Sequence, residues 1–335
     1  MSDDRNASAE CAFEAARIFF EYDPYVFSVG IGRVGQRPVL RVSRGPTECG
    51  EPHSPWRLAK HAGLEIVCTD CDRAPQFQAA HVELTPYPSG SVPPRRILSC
   101  GEEVQNFALD FRAGHLNASQ IRVGTLGCFV KLPSSKLALI SNAHVLSPGD
   151  AARPGDCIYS AGSFAQLSNN HVANYAGLSS APIISFSAGR PALYSPDWNH
   201  TDAAAALLLD GIGYEQRVCL PGGPVRLTSV RAADPGDDVY VCGRAGPCTE
   251  GVIEDVATIL RLASPRSGEW FWFRRGLTIR SSNTSAAITK KGDSGAIIVR
   301  KHDKAIVGLH FAGNGMRSYA NDMENVMQAL NCQLA

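Results

Sequence analysis

The chain has 335 residues, 44% of them hydrophobic, with 32 Lys plus Arg balanced against 32 Asp plus Glu. That length predicts two domains, or one domain with an extension, and the zero net charge removes the electrostatic reason to expect a nucleic acid or an anionic membrane as partner. No apolar run approaches the ~18 residues of a membrane span, and the start MSDDRNASAE is acidic where a secretory signal would be basic, so the expected location is cytoplasmic.

In chain order, residues 7–22 place Ala9, Ala12, Phe13, Ala16, Phe19 and Phe20 on one helical face. Asp23-Pro24 ends that helix. Two strand-like runs follow, YVFSVGIG (25–32) and PVLRVS (38–43), separated by a glycine-containing turn. Together they predict a small α+β module, a docking face for a regulatory partner. Residues 85–96, TPYPSGSVPPRR, carry four prolines and read as a linker or extended edge. The module boundary is expected near residue 115. From 121 onward short β-type runs alternate with turn signals, among them 125–132, 137–146, 203–209, 239–243, 251–260, 271–279, 295–300 and 305–313. This spacing predicts a mainly β sandwich or barrel. A last helix over 321–330 aligns Met323, Val326, Met327 and Leu330.

Three polar residues stand out against this background. Ser294 lies in Gly-Asp-Ser-Gly-Ala (292–296), where flanking glycines permit a tight turn that exposes a hydroxyl. The same turn could aim the amides of Gly292 and Ser294 at one point, as an oxyanion hole requires. His144 ends the apolar run LISNAHVL, and Asp202 opens the run DAAAALLL. Each has a plain alternative: a surface turn, a satisfied histidine, and a cap or turn residue. Together they make the set that serine acyl transfer needs, namely a nucleophile, a base and an orienter. Serine chemistry needs no metal, and no cofactor is expected.

Their order, His–Asp–Ser, is that of chymotrypsin, with separations of 58 and 92 residues. The pieces GTLGCFV, LISNAHVL, TDAAAALL, GDSGAIIV, IVGLHFAG and NDMENVMQAL resemble the trypsin-like peptidases. The likeness is to the branch of bacterial proteins related to the plant Narrow Leaf protease. DPYVFSVGIG and RPVLRVS resemble the small module that precedes the protease in that branch. The resemblance implies a chymotrypsin-like double β-barrel over 116–335 behind an α+β module over 1–115, acting as a serine endopeptidase on polypeptide substrates. It implies that Phe311, Ala312 and Gly313 line the substrate cleft and pair with an extended chain. It places Ile288 where trypsins carry the acid that selects basic side chains, which argues for small or apolar preference.

The chain also departs from secreted trypsins. Val145, not cysteine, follows His144, so Cys128 has no partner there, and Lys290 stands where another family cysteine would be. The 11 cysteines, an odd number without a secretory signal, are expected to be thiols. No Ile-Val-Gly-Gly start is present, and Ile121-Arg122-Val123 is a poor substitute, so Asp293 needs a partner other than a cleaved N-terminus. Activation is then conformational. Cys49, His53, His61, Cys68 and Cys71 read either as half of a structural zinc site or as plain thiols and histidines. Two other functions compete: a protease fold that only grips peptides, and a latent effector active only within a partner assembly, for example in bacterial defence or stress.

Overall fold

The computed structural model describes residues 2–22, 26–45, 60–61, 63–70, 75–77, 80–82, 97–106, 121–147, 152–160, 170–180, 185–186, 198–244, 246–263 and 270–335. Ahead of the expected boundary come α1 (Ser2–Tyr22), β1 (Val26–Val34), β2 (Arg37–Arg44), β3 (Lys60–His61), β4 (Leu64–Asp70), β5 (Gln76–Phe77), β6 (Ala80–Val82), β7 (Ile97–Ser99) and β8 (Glu103–Asn106). Next are β9 (Ile121–Thr125), β10 (Cys128–Lys131), β11 (Leu137–Ser141), α2 (Ala143–Leu146), β12 (Cys157–Ser160), β13 (His171–Ser179), β14 (Ser185–Phe186) and β15 (Ala204–Leu208). Three short strands follow, β16 (Gly213–Glu215), β17 (Arg217–Leu220) and β18 (Gly223–Arg226). The chain finishes with β19 (Asp238–Cys242), β20 (Thr249–Ala263), β21 (Trp270–Ser281), β22 (Ile297–Arg300), β23 (Ile306–Gly313), β24 (Arg317–Asp322), α3 (Met323–Ala329) and β25 (Gln333–Leu334).

The fold is mainly β, in two curled sheets that form a double barrel and are antiparallel apart from the β2–β4 pairing. In the first, β10, β11, β15, β13, β12, β8 and β9 pair in that order. Only Leu126-Gly127 separates β9 from β10, so the ends of the order lie side by side and the sheet curls on itself. Its interior is apolar, with Phe129, Leu139, Ile140, Ile158 and the alanines of β15 buried together. The second sheet contains a closed ring: β19, β20, β21, β24, β23 and β22 pair in sequence and β22 returns to β19. Val241, Ile253, Ile279, Ile298 and Val307 fill it. Closure leaves no unpaired edge around the ring except where a strand outruns its neighbour. Asp322 caps α3, its Oδ1 accepting from the amide of Glu324 at 2.9 Å. The helix lays Met323 and Val326 against the first barrel's core, and β25 then pairs with β10.

The predicted N-terminal helix forms and extends further toward the N-terminus than residue 7. Its buried face, Ala12, Phe13, Ala16, Phe19 and Phe20, packs on Val29, Ile259, Trp198 and Trp272. The predicted hairpin forms as β1 and β2, and β1 also pairs with β20 of the second barrel. The expected boundary near 115 lies outside the described residues, as do the proline-rich residues 85–96. Strands before the boundary hydrogen-bond into both barrels: β1 with β20, β8 with β9 and β12. One expectation fails. Cys242 and Cys248 form a disulfide, their Cα atoms held 4.3 Å apart by a tight loop containing Gly243 and Gly246. Cys49, His53 and Cys71 lie outside the described residues, and no metal-binding cluster is found among the described ones. Among the described residues no helix is long and apolar enough to cross a membrane.

Candidate active site

His144 sits in α2, a single turn closing the apolar strand β11. Asp202 lies two residues before the start of β15, and β15 is the direct neighbour of β11. Adjacent strands of the first barrel thus bring His144 and Asp202 together. Ser294 lies in the tight turn before β22, in the second barrel. All three are buried, with Asp202 and Ser294 0% exposed.

The hydrogen bonds run in one direction. Asp202 Oδ2 accepts from His144 Nδ1, and Asp202 Oδ1 accepts from the His144 amide at 3.1 Å. That fixes the tautomer with its lone pair on Nε2, which accepts from the Ser294 hydroxyl at 2.8 Å. Two asparagines hold the acid. Asn142 Nδ2 donates to the Asp202 carbonyl at 2.7 Å. Asn321, on β24 of the opposite barrel, accepts from the Asp202 amide at 2.9 Å and donates to its carbonyl at 3.1 Å.

A second tie crosses between barrels at Ser294. The Thr125 amide donates to the Ser294 carbonyl at 2.7 Å. The Thr125 hydroxyl donates to the Gly292 carbonyl at 2.9 Å and accepts from the Arg244 amide at 3.1 Å. Gly292 and Gly295 both take positive φ, +98° and +94°. A Cβ on Gly295 would lie 2.1 Å from the Thr125 carbonyl oxygen, so only glycine fits there. The amides of Gly292 and Ser294 donate to no backbone acceptor among the described residues. Asp293 is 7% exposed, and its Oδ2 accepts from the Lys290 amide at 2.8 Å. It therefore has a partner within its own turn, while Ile121–Val123 are paired in β9, with β6 on one side and, at Val123, with β8 on the other.

The expected cleft residues divide. Ser294 Oγ lies 3.5 Å from the Phe311 carbonyl oxygen, so the backbone of β23 runs past that side chain. The Phe311 ring is buried on Phe273, centroids 4.7 Å apart, and presents no surface. Ala312 and Gly313 pair through their backbone with Tyr319 and Ser318 of β24 on one side and with Phe77 and Gln76 of β5 on the other. Ile288 corrects the sequence reading: it is 1% exposed and packed among Val241, Ile253 and Ile298, because the apolar ring interior takes its side chain. It forms no wall of an open pocket here.

Sequence reasoning missed three residues. Thr125 ends β9 and Asn321 lies near the end of the mostly polar β24, so the sequence carried no signal for either. The third is His310, fully buried on β23, with its Nδ1 2.7 Å from Ser318 Oγ. Burial, and then the neighbouring charge of His144, pushes its pKa down to about 3, so it stays neutral near pH 7.

No protein-family model matches the chain, and no curated protein matches it. Among solved structures, a Nocardiopsis protease is similar at a TM-score of 0.45 and 13% identity, covering 71% of this chain and 98% of its own. Thermobifida fusca protease A is similar at 0.46 and 13%, with the same coverage of 71% and 98%. A Cellulomonas bogoriensis chymotrypsin is similar at 0.45 and 16%, again covering 71% and 98%.

Proposed function

We propose that this chain is a serine endopeptidase in which Ser294 attacks the scissile carbonyl. His144 takes the Ser294 proton and later gives it to the leaving amine. Asp202 holds the imidazole and stabilises its charged form. The amides of Gly292 and Ser294 receive the oxyanion, and the acyl-enzyme is then hydrolysed by water. The observation that carries this reading is the relay itself, a carboxylate on Nδ1 and a hydroxyl 2.8 Å from Nε2. A fold retained only to grip peptides has no use for a buried acid paired to a histidine that in turn reaches a serine. The kinship with the Narrow Leaf branch belongs to this same reading, carried by the six motifs named above.

The test is covalent. A fluorophosphonate probe is incubated with the purified protein and the modified residue is located by mass spectrometry. Labelling at Ser294 that disappears in Ser294→Ala is the expected result. No label on a folded protein, with or without cell lysate present, would refute the proposal.

A further inference from the structure

β23 outruns its partner. β22 pairs with it at 306–309, and β24 covers its other side through Gly313. The side that faced β22 is therefore open at Ala312–Gly313, just past the Ser294 turn. An open strand edge beside a nucleophile is where an extended polypeptide would add as a further strand.

That edge is taken. β5 pairs with it antiparallel, Phe77 opposite Ala312 and Gln76 opposite Gly313. Three residues further on, Ala80 begins β6, which pairs antiparallel with β9 of the other barrel, Ala80 opposite Val123. Three residues span at most about 11 Å. So β5 on one wall of the cleft and β6 on the other lie within that reach of each other along the chain. Both walls touch the nucleophile, β23 through the Phe311 carbonyl oxygen and β9 through the amide of Thr125 on the Ser294 carbonyl.

We infer that β5 and β6 are an internal occupant of the substrate path, which holds the enzyme closed to outside chains until it is displaced. The inference rests on the serine-peptidase reading and deepens it. Both pairings are backbone ladders only a few residues long. Short ladders open readily, so the block is reversible and needs no cleavage to lift. A partner bound to the N-terminal strands could withdraw it.

The experiment uses the full chain with Phe77→Pro and, separately, Ala80→Pro. Each puts a proline, with its locked φ and no N–H, into one of the two ladders, and neither residue belongs to the triad. The rates of Ser294 labelling by a fluorophosphonate and of fluorescein-casein hydrolysis are compared with wild type, with thermal midpoints recorded. The expected result is a rise on the order of tenfold in both rates. Equal rates in wild type and in a variant that keeps its thermal midpoint overturn the proposal, leaving the peptidase reading intact. Absence of labelling in all three proteins overturns the peptidase reading itself.

Discussion

Replacing Asp202 with Asn tests the relay without changing its shape. Both carboxylate oxygens face donors, the His144 amide at 3.1 Å and His144 Nδ1. An amide side chain has one acceptor and one donor to set against those two donors. If its oxygen faces the backbone, its NH2 faces Nδ1, and the imidazole must move its proton to Nε2. If it flips, an N–H is directed at the buried backbone amide, at a cost of about 1–3 kcal/mol. The first arrangement is the cheaper one, and it leaves Nε2–H pointing at Ser294, unable to take a proton. The expected loss is about ten-thousand-fold in kcat/KM, equivalent to about 5 kcal/mol of transition-state stabilisation. It is read by fluorophosphonate labelling rate and by peptide hydrolysis, with the thermal midpoint within a few degrees of wild type. A variant that labels within tenfold of wild type would refute the argument that tautomer control sets the rate.

Other expectations follow from neighbouring contacts. Thr125→Val keeps the volume but strips the hydroxyl that ties Gly292 and Arg244 to the first barrel. It should lower kcat about tenfold with little change in KM, a split that steady-state kinetics resolves; a change in KM alone would mean that Thr125 does not position the oxyanion donors. Asp255 is fully buried beside β1, with Arg41 Nε donating to it at 2.9 Å. Burial, then the charge of Glu254, raises its pKa to about 8 against the opposing pull of Arg41 and Arg317. The folded chain therefore keeps a proton that the unfolded chain releases near pH 4, so this group's stabilisation is complete below that pH and is lost as pH rises toward 8. Asp255→Asn should flatten the fall of the thermal midpoint between pH 4.5 and 8, and parallel curves for variant and wild type would count against the assignment.

His144, Asp202 and Ser294 could be singled out as candidates because each sits at the end of an apolar run or in a glycine turn. Strand ends are where a barrel presents side chains to its rim. The long strands β20, β21 and β23 were legible for the same reason, as sustained apolar patterns. β16 to β18 were not, since strands of three or four residues are too short for their alternation to stand out in the sequence. Ile288 was misread because its place relative to Ser294 does not say that the ring interior would claim its side chain. The Cys242–Cys248 bond was missed because compartment statistics say nothing about a tight local loop. β5 is two residues long, too short to leave a periodic mark, and its meaning lies wholly in what it pairs with.

The N-terminal helix closes a wall that the second barrel cannot close for itself. Phe13 meets the Trp198 ring edge-on at 5.6 Å and Phe20 meets Trp272 at 5.0 Å, while Arg261 lies over Trp270 at 4.7 Å. β1 meanwhile occupies the flank of β20 beyond its pairing with β19. Strip away residues 1–45 and two indoles and a bare strand flank would face water together, the combination that glues one chain to the next. Residues that look like a detachable preface in the sequence are therefore part of the barrel's outer skin, and a trimmed catalytic fragment would be a sticky one.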